Sequence, residues 1–281
     1  MNFLQSFWEA LESLSANKMR SGLTVLGIVI GVAAVIAMIS IGRGAENTIT
    51  GSIQGIGTNL VFVFSGGSEE VRNPKPITFG DAEAIGDPFQ APSVAAVAPV
   101  LQGQVAVSFA GETANTVLQG VTPDFEEVRN RTVTEGEYIS EGHILGRASV
   151  ALLGIDTADK LFGRTSGVTG ETVRIEGQPF RVIGILEERG GSSFNNEDDT
   201  VLVPISTAQT RLLRRSTTDR VDMLMVQAAS ADTVPNASQE IAQILRSRHR
   251  TEIGADDFTI LTQQDFLSTA ETITGVLTIF L

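Results

Sequence analysis

Between Ser21 and Gly42 the chain reads "SGLTVLGIVIGVAAVIAMISIG", 22 residues without a charge, and Lys18 and Arg20 stand just ahead of it. At about 1.5 Å per residue this run forms a helix roughly 33 Å long, enough to cross a hydrocarbon layer of about 30 Å. A secretory signal would have a shorter apolar core and a small-x-small cleavage site, and Met38 to Arg43 contains no such site. Glycines inside a continuous apolar run, with cations at its entrance, favour a bilayer over the interior of a soluble domain. The stretch predicts a transmembrane helix over residues 18–43. Lys18 and Arg20 then set its orientation, with the N-terminus cytoplasmic and everything large beyond Gly42 outside.

Charge describes that exterior part. Of the 20 basic and 33 acidic residues, three and two lie at or before Arg43, which leaves 17 against 31 and a net charge of −14. A field of that sign repels phosphate, so a nucleic-acid partner is not expected. The chain has no cysteine, so neither disulfides nor a thiolate metal site is available. More than 200 residues follow the span. They are enough for a hydrophobic core of their own and for two subdomains.

Ahead of the span, residues 1–17 place Phe3, Leu4, Phe7, Trp8, Leu11 and Leu14 on one side of a helix, with Gln5, Glu9, Glu12 and Ser13 on the other. This reads as an amphipathic interfacial helix on membrane lipid, with Trp8 as the anchor at headgroup depth. After the span, "GTNLVFVFSGG" predicts a strand over 60–64. "ITFGDAEAIGDPF" predicts a helix with Thr78 as N-cap and Asp81 three residues on. The segment 94–122 predicts short strands broken by Pro99, Gly103 and Gly111. Strand, helix and strand recur near the other end, in "VDMLMVQAAS", "TVPNASQEIAQILRSRH" and "DFTILTQ".

The expected fold class is α+β: two β-α-β units pairing into a single sheet, with a mainly β insertion between them. The boundaries read as residues 44–120 for the first part, 121–215 for the insertion and 216–270 for the second part. Within the insertion, "GETVRIEGQPFRVIGILEE" predicts a hairpin around Glu176-Gly177-Gln178, and "ERGGSSFNNEDDT" a polar loop. Residues 271–281 are uncharged from Thr272 onward and too few to cross a bilayer, which reads as the start of a second transmembrane helix cut short.

Chemical motifs are sparse. No Walker A pattern, no GxGxxG after a strand, no HExxH and no GxSxG occurs, so no catalytic, cofactor or metal residue is expected in this chain. His143 and His249 read as surface or loop histidines. "NNEDD" (195–199) and Asp256-Asp257 read as solvated acidic turns, since charge runs usually face water. One membrane motif stands out: Gly27 and Gly31 form GxxxG, which lets two helix backbones pack closely.

Taken together, "ANKMRSGLTVLGIVIGVAAVIAMISIGRGA", "IGTNLVFV", "VTPDFEEVR", "GETVRIEGQPFRVIGIL", "VLVPISTAQ" and "ILRSRHRTEIGADDFTILT" resemble, in order and over essentially the whole chain, the MacB-type ABC transporter permease family, which includes FtsX-like permeases. The resemblance implies a permease subunit of the bacterial inner membrane with a large extracytoplasmic, porter-like domain between its first and second helices. It implies a second permease copy, a cytoplasmic ABC ATPase that binds ATP and Mg, and a periplasmic adaptor as partners. Family members couple ATP hydrolysis to movement outside the membrane, termed mechanotransmission. The contrasting reading is a membrane-anchored extracytoplasmic sensor or regulator that moves no substrate.

Overall fold

The structure is a computed structural model and describes residues 7–9, 18–54, 57–67, 74–192, 195–213 and 219–280. It divides into two compact units, one of residues 1–51 and 268–281, the other of residues 52–267. In the first, helix α1 runs over Lys18–Gln54, 37 residues. That corresponds to about 55 Å of helix. Its segment Lys18–Ser40 is long and apolar enough to cross a membrane, the one such stretch among the described residues. The helix continues past residue 43, where the sequence placed its end, because no proline interrupts it before Gln54. Residues 7–9 are helical with Phe7 and Trp8 exposed; the rest of the amphipathic segment expected over 1–17 lies outside the described residues.

The second unit begins with β1 (Leu60–Ser65), α2 (Phe79–Ile85), β2 (Val94–Phe109) and β3 (Glu112–Val121). Then come α3 (Asp124–Val128), β4 (Val133–Gly136), α4 (Glu141–Leu145), β5 (Val150–Leu153), α5 (Ile155–Phe162), β6 (Thr172–Ile175) and β7 (Gln178–Leu186). The short pair β8 (Gly191–Ser192) and β9 (Asn195–Asn196) precedes β10 (Thr200–Pro204), which runs into α6 (Ile205–Thr207) and a π-helical turn over Ala208–Leu212. The chain closes with β11 (Met223–Ala228), α7 (Val234–His249), β12 (Phe258–Thr262) and α8 (Gln263–Phe280), whose latter part belongs to the first unit.

Four strands lie in the order β12-β1-β11-β2, every pairing antiparallel. Alternation along each strand sends successive side chains to opposite faces. Val61, Val63, Leu224 and Val226 meet Ile85 of α2 and Ile241 and Leu245 of α7 on one face. Phe62, Ala98, Val100 and Met225 point to the other, toward Phe125 and Val128 of α3. Helix α2 starts where its sequence signal places it. Thr78 caps it, and Asp81 returns a hydrogen bond to the cap backbone.

Pro99 and Gly103 do not break the segment after α2 as the sequence suggested; β2 is one strand of 16 residues. Its first part, to Val100, pairs with β11, and its second, from Leu101, pairs with β3. Pro99, which has no N–H to give to a ladder, stands opposite Leu224 of β11, two residues before the pairing with β3 begins at Leu101. This single strand carries the chain from one sheet into the next.

Beyond Leu101 the strands close into a ring: β2 pairs β3, then β10, β5, β7 and β6 follow, and β6 returns to β2. Val107, Leu118, Leu153, Ile175, Phe180, Val182 and Val201 fill its interior. Six strands leave an interior that side chains can pack solid. The ring is built from strands on both sides of residue 121. The β6–β7 hairpin turns on Glu176-Gly177, with φ of 49° and 78°, the pair of positive values that a two-residue hairpin of right-handed twist needs.

Candidate functional site

Helix α1 carries most of the residues singled out in the sequence. Lys18 and Arg20 are exposed in its first turn. The side chains of Leu23, Leu26, Ile28, Ile30, Val35 and Ile36 are exposed along the apolar segment. Gly27 and Gly31 stand on an open surface: a Cβ added at either would meet no atom within 4 Å. The hydroxyls inside the run find partners in their own helix, Thr24 Oγ1 donating to the Arg20 carbonyl at 2.9 Å and Ser40 Oγ to that of Ile36 at 2.8 Å. Such back-bonding removes free donors from an otherwise apolar segment.

In the second unit two charged clusters form that the sequence did not reveal. The acidic run 195–199 is not a solvated turn: Asp198 is buried, and Glu197 and Asp198 face three arginines. Arg129 Nη2 donates to Glu197 Oε1 at 2.6 Å, and Arg131 Nη2 donates to the Glu197 carbonyl at 2.8 Å. Asp198 accepts from the backbone N–H groups of Arg189 and Gly190 at 3.0 and 2.7 Å. Arg189 closes the loop by donating to the carbonyls of Arg129 and Asn130. Burial pulls the Arg131 guanidinium below the ordinary arginine value, and the charge of Glu197 opposes that pull. Gly154, at the corner between β5 and α5, lets this segment sit close, since a Cβ there would lie 2.1 Å from the Asp198 carbonyl oxygen. Cationic partners, contributed by chain 68 residues away in the case of Arg129, overcome the general tendency of acidic runs to face water.

The second cluster overturns two more expectations. His249 is a core residue, not a surface histidine, and Asp257 is buried with it. The ring Nδ1 lies 2.8 Å from Asp257 Oδ1, and Nε2 lies 3.4 Å from Asp81 Oδ2. Asp257 also accepts from the Lys75 backbone N–H at 3.1 Å, and Lys75 Nζ donates to the His249 carbonyl. Arg248 Nε donates to Asp81 Oδ1 at 2.5 Å. Burial alone would raise the Asp81 carboxyl, but hydrogen bonds from Arg248, Thr78 and His249 outweigh it and hold the group below its ordinary value. Asp256 pairs with Arg246 instead of facing water alone, at 2.7 Å to both Nε and Nη2. The cluster ties the first turn of α2, the last turn of α7 and the start of β12 to one another. It is a network of ion pairs and hydrogen bonds that joins segments distant in sequence.

His143, by contrast, stays at the surface, its Nδ1 accepting from the Ser140 N–H at 3.2 Å in a cap of α4. Among the described residues, no three His, Cys, Asp or Glu side chains are placed to hold a metal ion.

Comparison with known proteins agrees with this architecture. A family model described as "MacB-like periplasmic core domain" matches residues 21–244. The macrolide export ATP-binding/permease protein MacB of Bdellovibrio bacteriovorus is 32% identical over 98% of this chain and 43% of its own length. The pyoverdine export ATP-binding/permease protein PvdT of Pseudomonas syringae pv. syringae is 32% identical over 83% of the chain and 35% of its own length. The chain thus spans less than half of the curated relatives it matches. Among solved structures, the periplasmic region of MacB from Actinobacillus actinomycetemcomitans aligns with 79% of this chain and 97% of that one, at a TM-score of 0.63 and 20% identity. The extracellular domain of the noncanonic ABC-type transporter YknZ from Gram-positive bacteria aligns with 73% of this chain and all of that one, at a TM-score of 0.60 and 24% identity. These two likenesses establish the fold, a mixed α+β domain of the MacB periplasmic type with an apolar helix ahead of it. The family match covers most of the residues that build α1, the sheet and the ring, and the chain belongs to the family of the MacB-like periplasmic core domain.

Proposed function

We propose that this chain is part of the permease subunit of an ABC exporter. In this reading α1 crosses the inner membrane, the four-stranded sheet with α2 and α7 is the porter-like part, and the ring of strands that begins in the second half of β2 is the inserted part. ATP and Mg are bound by an ABC ATPase in the cytoplasm, and a second permease copy completes the assembly. A periplasmic adaptor docks on the extracytoplasmic part. Hydrolysis is coupled to movement outside the membrane, and α1 is the rod that transmits it. The carrying observation is that a membrane-length apolar segment, Lys18–Ser40, is followed along the chain by a domain of the MacB periplasmic fold. Lys18 and Arg20 support the orientation.

Purification of the tagged protein from membranes of its native host, solubilised in mild detergent, tests the proposal. Recovery of an ABC-type nucleotide-binding domain, in the same polypeptide or as a separate subunit, with ATP hydrolysis that rises on reconstitution into lipid, is the expected outcome. Recovery without any nucleotide-binding component would replace the exporter with the anchored regulator.

A further inference from the structure

We propose that the face of the four-stranded sheet opposite α2 and α7 holds a binding site for an amphipathic anion, a compact apolar body ending in one carboxylate or comparable negative group. A cavity of about 320 Å³ opens there. That volume falls within the rough range of small-molecule sites, about 300 to 1,000 Å³. Its apolar wall is Phe62, Phe64, Phe125, Met223, Met225 and Phe266. Phe62 stacks on Phe64, with centroids 6.5 Å apart, and meets Phe266 edge-on at 5.7 Å. Aromatic rings and thioethers make a wall that adapts to apolar bodies of varied shape.

Arg129, Arg131 and Glu197 line the polar end of the same cavity. Arg131 carries the argument. Its side chain is 4% exposed, its Nη1 is buried without a hydrogen-bond partner, and the nearest carboxylate oxygen, Glu197 Oε2, stands 3.6 Å away. A buried guanidinium N–H left unbonded is costly, and an anion in the cavity would supply the missing acceptor. The local charge agrees. Arg129, Arg131 and Arg189 gather around Glu197 and Asp198, a concentration of guanidinium groups within a chain of net charge −13. A monoanion is complementary to the unbonded Arg131 N–H among those guanidinium groups, and a cation of the same shape is not.

This site goes beyond the exporter reading and does not depend on it, because binding is measured without transport or ATP. The test titrates 2-naphthoate into the full chain in lipid nanodiscs by calorimetry, with empty nanodiscs subtracted. A parallel titration uses 2-naphthylmethylammonium, which has the same ring system and the opposite charge. Naphthoate should bind saturably at one site, and the ammonium probe should bind at least about tenfold more weakly, the equivalent of one lost charge-assisted hydrogen bond. Met223 is half-buried on the wall and outside the arginine network. Met223→Glu should therefore weaken naphthoate by about tenfold or more, while Met223→Lys retains it. Arg131→Met should match Met223→Glu, and the Met223 pair decides the matter if Arg131→Met does not fold. Absence of saturable binding, equal affinity for the two probes, or equal effects of Met223→Glu and Met223→Lys would each overturn the proposal.

Discussion

Asp81 concentrates three roles in one carboxylate: it completes the cap of α2, pairs with Arg248 and faces the His249 ring. Its value in the folded protein lies below the ordinary 3.8. The stabilisation it provides is therefore fully present above that ordinary value and disappears as pH falls through the lower, folded-state value. Thermal melts between pH 7 and pH 2 should show the midpoint dropping on the acid side. Asp81→Asn should be less stable at pH 7 and should flatten that acid limb; an unchanged limb would remove Asp81 from the account. Asp198 makes a second prediction at this scale. Replacing it with Ala leaves Arg131 without that buried neighbour and strips two backbone N–H groups of their acceptor, at a cost of about 3 kcal/mol, read by urea unfolding. The cap on α2 could be read from Thr78 and Asp81 because both partners lie within one turn. The burial of His249 and Asp198 could not, since Asp81 is 168 residues from His249 and Arg129 is 68 from Glu197.

Elements show the same division in a different form. Thr78→Ala should lower stability by about 1 kcal/mol, the usual worth of an N-cap, and the loss should be local to α2. In α1 the open surface at Gly27 and Gly31 makes a cleaner test of helix association, because bulk added there displaces nothing in the chain itself. Gly27→Leu and Gly31→Leu should reduce crosslinking between helices in membranes while leaving the melting of the second unit unchanged. Undiminished crosslinking would leave GxxxG as ordinary membrane composition. The apolar run and the β6–β7 turn were legible because composition and two positive-φ positions define them locally. The continuity of β2 was not. Pro99 reads as a breaker in isolation, yet the strand runs through it, paired with β11 at Leu224 just before β3 takes over at Leu101.

For the whole molecule, orientation is open to direct measurement, and the absence of native cysteine gives a clean background. Single cysteines at Ser13 and Ser230 should behave oppositely toward a membrane-impermeant maleimide. Ser230→Cys should label in intact spheroplasts, and Ser13→Cys only after lysis. The reverse pattern would invert the topology drawn from Lys18 and Arg20. The sequence by itself determined the membrane-length helix, the mixed α+β class, the caps and turns and the family, because each rests on composition or on residues a few positions apart. Tertiary structure alone decided that β2, β3, β10, β5, β7 and β6 close into a ring and that Asp198 and Asp257, within two acidic runs, become buried partners of arginine, lysine and histidine. It also set a cavity walled by phenylalanine and methionine beside Arg131. The reason is physical: burial and charge pairing depend on which distant segments meet, and no local pattern encodes a neighbour that arrives only when the sheet has formed.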